Sequence, residues 1–159
     1  MAAKRHKVMA GLLALAGIAV GLAIATGWPL GGVGHQSGPP RLGHRAVAQL
    51  AQCASRSHGV IEPRHVEVVR SSWGAAVRLL TDGRQGGEQD AGEPVEVLAM
   101  RGRFTAYSAT PPPGIPLPRG AWLTLVVNPE RSYIMESVLG SRRPQLWRLG
   151  TVEHVSIDR

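Results

Sequence analysis

Residues 94–107 read PVEVLAMRGRFTAY, and the fold turns on this stretch. Val95, Val97, Leu98, Met100, Phe104 and Tyr107 supply a nearly continuous apolar run. The preceding residues 82–93 (DGRQGGEQDAGE) have no apolar anchor and must form a loop. An apolar run of this kind, bounded by turn residues, predicts a strand. Gly102 inside it predicts a bulge or the close approach of a packed helix.

Downstream, residues 110–120 hold five prolines. Proline lacks the N–H a sheet ladder needs, so this segment is expected to cross the surface as a long connection. Residues 121–127 (AWLTLVV) then form a second strand, with Leu123, Leu125 and Val127 alternating against Trp122, Thr124 and Val126. Asn128 and Pro129 suit the first two positions of a turn, and residues 133–139 return as the hairpin partner. After Pro144, a short turn around Leu146 and Trp147 leads to a last strand within 152–157.

Upstream, Leu42, Ala46, Leu50 and Cys53 recur at spacings of three and four, and Val47, Ala51 and Ala54 widen the stripe. An amphipathic helix over 41–56 is predicted, stopped by His58-Gly59 and Pro63. Residues 64–70 (RHVEVVR) read as a strand. Ser71 or Ser72 is placed to cap a second short helix, with Trp73, Val77 and Leu80 on one face and Gly83 at its end. One long bent strand is the alternative. Phe104, Leu123 and Leu125 are expected to face the first helix, with Leu50 as its buried counterpart.

The N-terminus predicts something further. Lys4, Arg5, His6 and Lys7 form a basic cluster, and no charged or polar side chain occurs from Val8 to Ala25. The uncharged run continues to Leu30, long enough to span a hydrocarbon core with about 20 helical residues. The expected class is therefore α+β: an N-terminal transmembrane helix, then one or two helices packed on an antiparallel sheet of about four strands. Its expected parts are a cytoplasmic basic tip at 1–7, a signal anchor at 8–30, a flexible Gly/Pro linker at 31–40 and an extracytoplasmic domain at 41–159. Positive residues before the span and none until Arg41 place the N-terminus in the cytoplasm and the C-terminus outside. The bilayer would then be a partner through residues 8–30. The alternative is a secreted protein cleaved near Ala25, although the apolar run is long for a cleaved signal. Gly17 and Gly21 form a GxxxG at which two helices could dimerise, but such spacing arises readily in a span this rich in Gly and Ala.

Composition narrows the function. The formal charge is +7, yet beyond the basic tip fifteen arginines face eleven carboxylates. No lysine occurs there, as expected of a GC-rich genome, and the arginines are scattered rather than striped. A nucleic-acid interface would need them clustered, so none is expected. Cys53 is the single cysteine, so no internal disulfide can form. Its readings are a small buried helix residue, an intermolecular disulfide, or a lipidation site suggested by LAQC at 50–53.

Catalytic motifs are missing. The histidines at 6, 35, 44, 58, 65 and 154 show no metal-binding spacing, although His58 and His65 flank one loop. No G-x-S-x-G elbow occurs, and Gly31, Gly32 and Gly34 precede no lysine. Glu93 with Glu96, or Glu130 with Glu136, could act as acid and base only if the fold gathers them, and carboxylates at such places are usually solvated. No catalytic, cofactor-binding or metal-binding residue is assigned, and no enzymatic activity is expected.

PVEVLAMRGRFTAY, the loop PPPGIPLPRG, WLTLVVNPE and LWRLG together resemble small exported proteins of unknown function from GC-rich Gram-positive bacteria. Those show a strand ending in an aromatic after Gly, a P-x-G loop, an L-x-L-V strand and an Asp-x-x-Thr-Gly hairpin turn. The resemblance spans roughly residues 60–150 and lies in packing and turn residues, so it implies no active site. More distantly, a helix followed by an antiparallel meander is similar to PepSY-type and cystatin-like domains. The turn at 128–132 departs from the pattern, because it has no Gly. Two functions are expected to compete. One is a membrane-tethered binding module that contacts an envelope protein or peptide along a sheet edge. The other is a ligand-handling or enzymatic domain with a pocket between helix and sheet, or an accessory subunit of a membrane complex. A concave site with converging polar groups would favour a ligand.

Overall fold

The computed structural model describes residues 40–81, 83 and 91–157. In chain order they form α1 (His44–Ser57), β1 (Arg64–Ser72), α2 (Trp73–Leu80), β2 (Pro94–Thr105), β3 (Arg119–Asn128), β4 (Tyr133–Gly140), a 3-10 turn (Leu146–Arg148) and β5 (Glu153–Val155). The strands make one antiparallel sheet in the order β4-β3-β2-β1-β5. Two strand neighbours and two covered faces surround β2, which explains its run of apolar residues where a half-exposed strand would alternate. Leu98, Met100 and Phe104 belong to the core beneath α1, together with Val66, Val68, Leu123 and Leu125. Val95, Val97 and Ala99 belong to a second core with α2 and the 3-10 turn, where Ala76, Leu146 and Trp73 cover them. The helices therefore lie on opposite faces.

Each boundary has a local cause. Gly59, at φ +80°, follows α1, and the N–H groups of Gly59 and Val60 donate to the carbonyls of Arg56 and Ser55. This left-handed stop satisfies carbonyls the helix leaves open. The first N–H groups of α2 donate instead to the carbonyls of Glu93 and Ala91, and Ser72 makes no side-chain cap. A side chain at Gly74 would meet the Cβ of Ala91 at 2.9 Å, so the close approach needs glycine. The β2–β3 register slips between Arg101 and Phe104, and the Phe104 ring folds over Gly102, leaving a Cβ there only 2.7 Å from Cζ. The expected bulge is present.

Several expectations need correction. The sheet has five strands, not about four, because residues 153–155 pair with the outer side of β1. Among the described residues no helix is long and apolar enough to cross a membrane, so the transmembrane class is not supported. The physical reason is length: α1 has 14 residues and α2 has 8, against about 20 apolar ones for a crossing. The expected span at 8–30, its Gly17 and Gly21, and the cleavage point near Ala25 lie outside the described residues. The single-pass placement, with N-terminus inside and C-terminus outside, is therefore not supported either.

Within α1, Val47, Ala51 and Ala54 are buried, while Leu50 is only half-buried and Cys53 is exposed. At about 100° per residue, Cys53 stands roughly 200° around the helix from Ala51, and Leu50 flanks the buried stripe. Phe104, Leu123 and Leu125 are each at most 1% exposed and lie in the core with α1, as expected.

Candidate functional site

Strand alternation puts Glu96 on the α1 face of β2, in line with Leu98 and Met100. Its register partner on β1 is Arg70, and Val68, two residues back on the same face, pairs with Glu153 of β5. Three ionisable side chains thus form a row across the sheet, just beyond the start of α1. Arg41, Leu42, Gly43 and His44 close over that row and leave a cavity of about 340 Å³. Val47, Val68 and Val69 complete its walls.

Glu96 is 3% exposed. Its Oε1 accepts the Leu42 backbone N–H at 3.2 Å, which ties the start of α1 to the middle of the sheet. Its Oε2 is buried with no hydrogen-bond partner. Burial pushes the carboxyl above its usual range. The Leu42 N–H and the Arg70 charge pull it back, and the Glu153 charge raises it again.

Glu153 stands differently. Arg70 Nη2 donates to its Oε1 at 3.3 Å, Arg41 Nη2 lies 3.7 Å from the same oxygen, and His44 Nε2 lies 3.9 Å from Oε2. Two guanidiniums converge on one carboxylate, so donors remain on both, since each carries five N–H groups. No side chain caps α1, so its first N–H groups face this end of the domain with their partial positive charge.

The fold does not gather Glu93 with Glu96 as an acid and base. Glu96 is brought beside Glu153 rather than Glu93, and it is buried rather than solvated. Glu93 instead accepts from Asn128 Nδ2 at 2.7 Å, and Asn128 Oδ1 accepts the Arg131 N–H at 2.9 Å. Glu130 is exposed, and Glu136 Oε1 accepts the Ser137 N–H. His58 turns its Nδ1 to the Ala54 carbonyl at 2.8 Å, closing α1, while His65 is exposed in a bulge of β1. Among the described residues no three of His, Cys, Asp or Glu gather as metal ligands. The glycines at 31–34 lie outside the described residues.

A second, shallower depression of about 460 Å³ lies over the bulge, lined by Gly102, Phe104, Arg103, Arg119 and neighbours. It contains no unpartnered buried polar atom. Glu96 itself could have been singled out from the sequence, because it shares its side of the strand with Leu98 and Met100. Glu153 carried no such signal.

No protein-family model matches the chain, and no curated protein or solved structure matches it. The likeness to PepSY-type and cystatin-like domains therefore rests only on the order of elements read from the sequence.

Proposed function

We propose that this domain is a binding module that takes a small polar ligand in the cavity between the start of α1 and the sheet. The observation that supports this most is the second oxygen of Glu96, a buried atom of a cavity-lining residue with no partner among the described residues. Burying a polar group unpaired costs about 1–3 kcal/mol, and a fold keeps such a group more readily where a ligand completes it. Binding is the whole of the proposed function. Serine, threonine, cysteine and lysine are absent from the lining, and Glu153 is already engaged by Arg41, His44 and Arg70.

The test is to record amide spectra of the full chain while adding small charged and neutral aromatic compounds. Shifts at Leu42, Gly43, His44 and Arg70 support the reading. A set of compounds that moves none of these amides overturns it.

Pairing with a partner strand is the second reading. It has the open outer edge of β4 in its favour, with Tyr133 42% and Ile134 38% exposed at its start. Amide shifts confined to 133–140 on concentrating the chain would favour it over the cavity.

A further inference from the structure

The Glu96 carboxyl has two unequal oxygens. Oε1 accepts an N–H, so it acts as the carbonyl oxygen of an acid, and a proton on the group belongs on Oε2. Oε2 has no acceptor among the described residues. Glu96 lines the cavity, so a group brought against it there is what can meet that proton.

The charges around it point the same way. Facing Glu96 are Arg41 and His44 from the start of α1, Arg70 from β1 and Glu153 from β5. Its β3 neighbour is Val127, which brings no charge. With Glu96 protonated, the two arginines outnumber the one remaining carboxylate, and the open N-terminus of α1 adds to the positive side. The side chains of Leu42, Val47 and Val68 make the other walls apolar.

Resting on the binding function above, we propose that the ligand is a small carboxylate with a short apolar body. Oε2 of Glu96 donates to one of its oxygens, and the Arg41 and Arg70 guanidiniums balance its charge. A hydrogen bond between an acid and a carboxylate is charge-assisted, and it exists only while Glu96 keeps its proton. Ionised, Glu96 would present a buried negative charge to the ligand and repel it.

The probes are benzoate, benzylammonium and benzyl alcohol, which share a ring and differ in head group. Each is titrated into the full chain by calorimetry at a series of pH values from slightly acid to alkaline. Benzoate should bind best, and its affinity should fall about tenfold for each pH unit above the titration of Glu96. Glu96→Gln keeps a donor beside the cavity, so it should bind benzoate with that pH dependence removed. His44→Gln separates the imidazole from this effect and should keep the pH dependence. Tighter binding of benzylammonium, strengthening as pH rises, would overturn the carboxylate and leave the binding function standing. Benzoate affinity that is flat with pH in the parent chain would do the same. Should none of the three compounds bind or move the Leu42 and Gly43 amides, the binding function itself falls.

Discussion

Arg143 grips the buried carboxylate of Glu67 with two groups, Nη2 donating to Oε1 at 2.6 Å and Nε to Oε2 at 3.3 Å. Glu67 is 3% exposed on the middle of β1, and Arg143 lies 76 residues later in the connection after β4. The pair pins that connection across the face that also holds α2 and the 3-10 turn. Removing one partner of a buried pair is costly, because a charge is left without compensation. Arg143→Ala should therefore destabilise the chain by about 2–3 kcal/mol in urea unfolding, at the lower end because Arg143 itself is half exposed. Glu67→Gln in the Arg143→Ala background should recover part of that loss. Equal stability of Arg143→Ala and the parent would show that the pair is solvated.

Asn128 joins two separate parts of the chain with one side chain. Its Oδ1 closes the β3–β4 turn and its Nδ2 holds Glu93 ahead of β2. Asn128→Ala should cost about 1–3 kcal/mol, since it leaves both partners short of a bond in a site that is 5% exposed. Thermal unfolding would read this as a lowered Tm. Pro129→Ala, in the same turn, should cost less.

The Phe104 ring over Gly102 gives a paired prediction. Phe104→Ala should cost about 3–5 kcal/mol, because the ring fills the core beneath α1 and no disulfide offsets its loss. Gly102→Ala should cost about 1–3 kcal/mol, because a methyl 2.7 Å from the ring forces it aside. If Gly102→Ala melts with the parent, the ring does not sit on the bulge.

Much of this architecture was legible in the amino acids. Val95 to Met100 announced a strand, Gly102 a bulge and the prolines at 110–120 a connection, since each is a local backbone signal. What was hidden depended on partners distant in sequence. The last strand was legible within 152–157, but its pairing with the outer side of β1 was not. Ser72 looked like a helix cap, but carbonyls from the loop before β2 took the α2 donors. Cys53 continued the apolar spacing of Leu50, yet the sheet meets α1 along Val47, Ala51 and Ala54. The candidate site needed Arg70 opposite Glu96 and, on the next strand, Glu153 opposite Val68, which no local pattern encodes. The apolar run at 8–30 suggested a membrane crossing, and no described helix is long enough to make one.

Stability should depend on pH through Glu96, with a definite sign. Its folded carboxyl titrates above the unfolded one, whose ordinary value is about 4.3. Between the two values the folded chain binds more protons, so its stability falls as pH rises. Glu96→Gln abolishes that loss. The variant should therefore gain on the parent by about 1.4 kcal/mol per pH unit within the window and hold a constant advantage above it. A gap that narrows with rising pH would reverse the assignment.

The most direct measurement is the carbon-13 titration of the Glu96 side-chain carboxyl in the full chain, followed together with the Leu42 amide that it accepts. The structure predicts a midpoint above that of ordinary glutamates, with the Leu42 amide moving at the same midpoint. Addition of benzoate should raise that midpoint further, because the bound carboxylate holds the proton on Oε2. A Glu96 that titrates with the exposed glutamates, or a Leu42 amide that does not follow it, would contradict the buried acid on which the proposed site rests.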